Sequence, residues 1–536
     1  MSFPVSTLIA DCLASGKGTR LTTRDVIGTG PRTIAGVLEQ LKVKSKIEPV
    51  ETLLDRDSKF DEYDLLFVSG MTSDLFAIQK ITRKWKKHKY NPVVIGGPAA
   101  SEPVRVLRKS GADISVTGEG ETTISELFQT ELAEGAMPHA QELHRIRGIA
   151  YRVGSRVEIN PFRPVQGKEI FIKYPPSAQR ITDYPLYYAA RVYVEVLRGC
   201  SNFNRARIGP IGETCTFCET CTTGALTDRY DCPKGIPPGC GYCSVPSLYG
   251  PPRSRPVSLI LDEVQELFQR GVTRIVLSAP GFLDYGRELL VEPEPLTDPR
   301  NPEPNYEIIN DLLEKLTFLP KTREGKSSIM IENIKAALVT ERAAKLLGKY
   351  LRGTPVSIGF ETGEPEHASL LGRPDTPSET LRAIKLLKEV GLRPYVYFIH
   401  GLPGQTESTV DATVRMIEKS ADLGARRIIL YRFQSLPMSA FTGCHSGPPS
   451  AVDHESKRIY EAARKVNEGQ KEDMLGRSIK VVVAEQYERD TRYLITYPIN
   501  HGPVVLIEGD KDLIGTIIPI EVTDVASERM VYGKLN

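Results

Sequence analysis

The chain has little that is one-sided. Its 69 lysines and arginines stand against 67 aspartates and glutamates, a formal net charge of +2. Any surface for a polyanion must therefore be local. No apolar run approaches the roughly 18 residues of a membrane span, and the first residues lack a secretory signal pattern. The expectation is a soluble, cytoplasmic protein with no membrane partner. The single tryptophan, Trp85, follows Arg83 and Lys84 on an ordinary helix face. Gly16-Lys-Gly18 lacks the spacing of a phosphate-binding Walker loop. Histidines number eight, and none precedes His88. Cysteines are also scarce, nine in 536 residues, yet seven lie between Cys200 and Cys243. In a cytosolic chain such crowding points to metal ligation more than to disulfides. Cys12 and Cys444 stand apart, Cys12 reading as a small buried residue.

Length and composition set the frame. A chain of 536 residues is too long for one core, so two to four domains are expected. Hydrophobic and charged fractions of 40% and 25% are globular averages. Residues 5–135 alternate strand and helix, with apolar strands at 5–10, 64–69, 93–95 and 114–116. This rhythm predicts a doubly wound, Rossmann-like parallel sheet. Ligands of such sheets sit beyond the carboxyl ends of the strands: here 11–18, Ser69, Thr72 and Ser73, Gly96 and Gly97, and Gly118 and Glu119. Glycines there also simply make tight turns, and a sheet that serves only as scaffold is the plain alternative.

Residues 139–190 read as a connector with a small β element at 147–159. From 191 to 450 strand–helix alternation returns, with strands expected at 192–197, 274–278, 328–332, 356–360, 394–399 and 427–431. Six βα units predict a partial or full (β/α) barrel with its chemistry at the strand ends. The proline-rich stretch 289–305 is an irregular insertion, and 451–474 a helical linker. Residues 475–536 alternate as short strands, a small OB-like β-barrel.

The cysteines fall into two sets. Cys200 ends a strand, and Cys240-Gly-Tyr-Cys243 follows after a 39-residue gap. Inside the gap lie Cys215-x-x-Cys218-x-x-Cys221 and Cys232-Pro233, which echo a ferredoxin pattern. Four thiolates there suit either a second [4Fe–4S] cluster or a tetrahedral zinc. Cys215 and Cys218 could instead belong to the first set, although it is the sequence after Cys243 that leads into the expected helix.

Several motifs carry a resemblance. Arg198-Gly-Cys200, Cys240-Gly-Tyr-Cys243, Pro252-Arg-Ser-Arg-Pro-Val257, Ile358-Gly-Phe-Glu-Thr-Gly363, Leu371-Gly-Arg-Pro374 and Tyr397-Phe-Ile-His-Gly-Leu-Pro-Gly-Gln405 resemble the radical S-adenosylmethionine (SAM) superfamily, especially its cobalamin-binding and methylthiotransferase branches. The long gap departs from the family's tight three-cysteine spacing. The resemblance implies that Cys200, Cys240 and Cys243 ligate a catalytic [4Fe–4S] cluster whose open iron holds SAM. It makes Tyr242, Glu361, Arg373, Gly401 and Gln405 SAM contacts and calls for an electron donor such as ferredoxin or flavodoxin. Glu361 as a helix cap and Arg373 as a structural ion pair are the plain alternatives.

Residues 1–138 resemble a cobalamin-binding domain through Val68-Ser-Gly-Met-Thr-Ser73, Ile95-Gly-Gly-Pro98 and Val116-Thr-Gly-Glu-Gly-Glu121. The Asp-x-His-x-x-Gly signature that gives a lower axial histidine is absent. The tail resembles a TRAM domain, which implies RNA contacts through Arg477, Lys480, Tyr487, Arg489, Arg492, Tyr493, Tyr497 and His501. Three functions follow: cobalamin-dependent methylation of an unactivated carbon in tRNA or rRNA; RNA methylthiolation fed by a second cluster; or a zinc-bearing RNA-binding protein without catalysis.

Overall fold

The computed structural model describes residues 5–20, 23–55, 60–527 and 529–535. It divides into two compact units, 1–194 with 258–271, and 195–257 with 272–536.

The first unit is built on a seven-stranded sheet. Its strand order is Lys44–Pro49, Ser6–Asp11, Leu65–Ser69, Val93–Gly96, Ile114–Val116, Ile149–Val153 and Arg156–Ile159. The first five are parallel, and the last two are an antiparallel hairpin added at the edge. The hairpin is the β element expected in the connector. Strand Lys44–Pro49 was not expected, because its charged alternation hides an edge strand. Taken in sequence order, the parallel strands run 2-1-3-4-5, so the direction of winding reverses between Ser6–Asp11 and Leu65–Ser69. Open α/β sheets bind ligands in the crevice that such a switch point opens. Leu8, Ala10, Leu66, Val68, Val93 and Ile95 pack beneath it with Ile78, Ile81 and Trp85.

The second unit carries two parallel arrangements, Arg274–Ser278 with Ser328–Ile331, and the four-stranded order Asn333–Ile334, Pro355–Glu361, Arg393–His400, Arg427–Arg432. The strand expected at 328–332 is broken at Glu332, which accepts a hydrogen bond from Ser278 Oγ (2.7 Å). Residues 291–305 hold no strand or helix. The chain ends in a closed five-stranded barrel of Ser478–Gln486, Tyr493–Pro498, Val504–Glu508, Ile517–Val525 and Met530–Leu535. Val481, Val483, Leu494, Val505, Ile507, Ile520, Val522 and Val531 fill it. Among the described residues no helix is long and apolar enough to cross a membrane.

Candidate active site

Cys200 is set by a close backbone approach. Gly199 has φ +89°, and a Cβ there would lie 2.2 Å from the Pro251 carbonyl oxygen. The Cys200 N–H donates to Gly250 O at 3.0 Å. That turn directly follows helix Val245–Tyr249, so the first cysteine is closed onto the segment that carries the other two. Gly241, between Cys240 and Tyr242, lies so close to the Phe441 ring that a Cβ would meet it at 2.4 Å. Asn202 ties the thiols together. Its N–H donates to Cys200 Sγ (3.5 Å) and its Nδ2 to Cys240 Sγ (3.3 Å) and Gly372 O (3.0 Å). Burial, then the neighbouring Cys240 and Cys200, pushes the Cys243 thiol up to about 12. Burial likewise raises Cys240, with Arg373 pulling the other way. Cys240 and Cys243 thus resist ionisation on their own, and such thiols suit a metal, which takes thiolates and offsets their charge. The residues thus fit the ligand set of an iron–sulfur cluster with one open position.

Around these thiols lies a buried polar frame. Arg373 donates to Tyr242 Oη (2.7 Å), Gly359 O (2.7 Å) and Asp375 Oδ2 (3.1 Å), and lies 3.4 Å from Glu361 Oε1. Glu361 closes its strand with φ +69°. Burial raises its carboxyl to about 7, against the pull of Arg373. Tyr242, Glu361 and Arg373 are thus one connected group beside the cysteines. Gly401 and Gln405 form a different unit. The Gln405 carboxamide accepts from Gly401 N–H (2.8 Å) and donates to Glu455 (3.1 Å), so its polar atoms are spent on holding the turn.

A charge cluster escaped the sequence reading. Asp284 accepts from Ser201 Oγ (3.0 Å) and pairs with Lys335 and Arg287, and Lys335 also donates to Ser201 Oγ (2.8 Å). Burial works to raise the Asp284 carboxyl, but Lys335 and Arg287 outweigh it and hold it below its usual range. Ser201 follows Cys200 directly, so one net positive charge is buried beside that cysteine. No motif marks it, because its members lie 51 and 134 residues apart.

In the first unit the strand-end residues collect where the topology expects them. Ser69 and Gly96 face each other across paired strands. Gly97 has φ +80°, and a Cβ there would meet Gly70 O at 2.8 Å. Asp74 accepts from the N–H groups of Ala14 (3.0 Å), Gly16 (2.8 Å) and Met71 (2.9 Å), so it locks the loops after the first and third strands together. Thr72 Oγ1 reaches Pro98 O at 3.5 Å, Ser73 is exposed, and Gly118 turns the chain with φ +81°. Glu119 is buried and accepts from Gln166 N–H (2.9 Å), which makes it part of the scaffold there.

On the terminal barrel Arg477, Lys480, Arg489 and Arg492 are exposed, with Tyr487 and Tyr493 half-buried. Two expected surface groups face inward instead. Tyr497 packs under the Arg274 guanidinium (5.5 Å), and His501 lies against Tyr395 (5.6 Å) while its carbonyl accepts from Arg393 (2.8 Å). Both anchor the barrel to the strands at 274 and 393.

Residues 231–417 match the Radical SAM superfamily. An uncharacterised protein of Methanopyrus kandleri is 42% identical over 533 residues, 99% of this chain and 96% of its own. A tRNA-2-methylthio-N(6)-dimethylallyladenosine synthase of Herpetosiphon aurantiacus is 23% identical over 293 residues, 53% of this chain and 61% of the relative. A ribosomal protein uS12 methylthiotransferase of Rippkaea orientalis is 24% identical over 352 residues, 62% and 72%. In fold the chain resembles TsrM of Kitasatospora setae, a radical SAM methyltransferase solved with cobalamin and a [4Fe–4S] cluster (TM-score 0.57, 14% identity, 82% of this chain and 74% of that one). The chain belongs to the radical SAM superfamily, whose members use a [4Fe–4S] cluster and S-adenosylmethionine.

Proposed function

We propose that the protein is a cobalamin-dependent radical SAM methyltransferase that methylates an unactivated carbon of a tRNA or rRNA nucleotide. The observation that carries the reading is the switch point of the first unit. The C-terminal ends of the paired strands Ser6–Asp11 and Leu65–Ser69 meet there beside Gly70 and Gly97, and Met71 and Phe76 just beyond are exposed at 40% and 50%. A flat, largely apolar macrocycle with amide edges suits such a rim of glycine backbone, hydroxyls and exposed apolar side chains. Asp11-Cys-Leu-Ala-Ser-Gly16 keeps the spacing of the missing axial signature with Leu13 in place of histidine. The Asp11 carboxylate is taken by Leu13 N–H (2.9 Å) and Tyr184 Oη (2.9 Å). The loop after Ser6–Asp11 therefore offers no histidine to a corrinoid.

In the second unit Cys200, Cys240 and Cys243 would hold the cluster. Glu361 and Arg373, joined through Tyr242, would face the amino and carboxylate groups of SAM with one acceptor and one cation. When bound, the cluster, SAM and cobalamin supply the radical and the methyl group. The protein orients them and excludes water. Exposed arginines and half-buried tyrosines on a closed barrel suit phosphate neutralisation and base stacking.

Methylthiolation is the second reading, favoured by the relatives' names. One of those relatives is named for a ribosomal protein, so the substrate itself is under test. The chain, loaded with iron, sulfide and hydroxocobalamin, is given SAM, a low-potential reductant and bulk RNA, and the nucleosides are analysed by mass. A methyl gain supports the proposal. A methylthio gain, or no gain on RNA while a ribosomal protein is modified, overturns it.

A further inference from the structure

The inserted cysteines form a group of their own, organised around Arg205. This residue is 3% exposed. Its Nη atoms go to the carbonyls of Phe203, Arg229 (3.1 Å) and Tyr230 (2.9 Å), and the guanidinium also contacts the Cys232 sulfur. Its Nε has no conventional hydrogen-bond partner. The Cys221 sulfur lies beside the Arg205 backbone with Cys215 within electrostatic reach, and Cys215 and Cys232 pack against the same apolar cluster. A buried guanidinium is costly without an anion, and Cys221, Cys232 and Asp231 are the groups within its electrostatic reach. Cys218 occupies the exposed tip of the same loop. Its two neighbours, Phe217 and Glu219, have φ +53° and +60°, a left-handed conformation that a bulky residue such as Phe rarely adopts. Backbone of this kind turns successive N–H groups into the concavity that recurs at iron–sulfur sites. Phe217 N–H donates to Cys215 Sγ at 3.4 Å.

We infer that Cys215, Cys218, Cys221 and Cys232 hold a second [4Fe–4S] cluster, with Arg205 as its buried counter-charge, which passes electrons to the cluster at Cys200, Cys240 and Cys243. The inference rests on superfamily membership and is independent of cobalamin and RNA. Four thiolates fill the protein-facing position of all four irons, leaving none open for substrate or for a group to be donated. This separates the site from a sulfur-supplying centre.

The two sites are adjacent in the chain. Asn202 contacts the thiols of Cys200 and Cys240, and Arg205, three residues on, contacts Cys221 and Cys232. Three residues span at most about 11 Å. One electron from an external low-potential donor, an iron–sulfur or flavin protein, takes the inserted cluster from its 2+ to its 1+ state. The same electron then reduces the catalytic cluster from 2+ to 1+ and returns the inserted one to 2+. No bond is made or broken and no proton moves.

The full-length chain is purified anaerobically and reconstituted with iron and sulfide, beside a Cys218→Ser/Cys221→Ser variant. Wild type is expected to hold about eight irons and no stoichiometric zinc, and the variant about four. In the variant, SAM cleavage driven by reduced flavodoxin should fall at least about tenfold relative to cleavage driven by dithionite, one factor of ten being 1.4 kcal/mol of barrier. Four irons in both proteins, one zinc in wild type that the variant loses, or an unchanged ratio would each overturn the inference. Should the variant not accumulate, wild type decides alone. Two interacting spins per fully reduced chain in electron paramagnetic resonance support the pair, and a single spin refutes it. Methyl transfer to RNA is read separately, so the two accounts fail separately.

Discussion

Behind Cys200, Asp284 is shared by two buried cations, Lys335 and Arg287. Asp284→Asn would leave both without their anion, and breaking a buried pair in this way costs about 3–5 kcal/mol. Chemical denaturation of the apo-chain should show that loss, and a change under about 1 kcal/mol would contradict the charge balance. Glu361 yields a pH prediction. Burial lifts its carboxyl to about 7 from an ordinary 4.5, so the folded chain binds a proton that the unfolded chain has released between those values. Stability then falls as pH rises through that window. Glu361→Gln should flatten the fall, matching wild type near pH 4 and exceeding it near pH 8; parallel curves would refute the shift. Cys200, Cys240, Cys243, Glu361 and Arg373 were legible because each sits in a short motif. Ser201, Asp284 and Lys335 were not, because only folding brings them together and each alone reads as an ordinary polar residue facing water.

Among the elements, the loop at Gly199 and the helix Pro377–Glu389 make opposite kinds of demand. Gly199→Ala puts a methyl 2.2 Å from a backbone oxygen, so the Cys200 loop cannot close. Reconstituted protein should lose the catalytic cluster, about four irons, while retention of full iron would refute the close approach. Helix Pro377–Glu389 begins with a capping box. Thr376 Oγ1 accepts from Glu379 N–H (3.3 Å), and Glu379 accepts from Thr376 N–H (2.9 Å) and from Arg300 (2.7 Å). Thr376→Ala should cost about 1 kcal/mol, measured by denaturant midpoint. Burial works to raise Glu379, but Arg300 and Thr376 hold it down to about 2. Its contribution is present above pH 4.5 and is lost as pH falls toward 2. Half exposed, it contributes only modestly. A helix of this kind is readable in sequence because cap, apolar period and C-terminal turn agree. Strand Lys44–Pro49 was not, because an edge strand can be charged, and it is this strand that creates the switch point.

For the molecule as a whole, the question is how a doubly wound sheet, a radical SAM core and a barrel serve one reaction. If RNA docks on the barrel, Arg477→Glu and Arg489→Glu should weaken binding across RNA sequences. Each should lower the slope of log K against log salt by about 0.7–0.9. An unchanged salt slope would move the interface elsewhere. The cobalamin assignment comes first, because the choice between methyl and methylthio transfer depends on it. The direct measurement is a cobalt count, alongside iron, on the anaerobically purified full chain reconstituted with hydroxocobalamin and passed through gel filtration. About one cobalt per chain, with corrinoid absorbance co-eluting, is the predicted result. A chain that carries its iron but no cobalt would contradict the account.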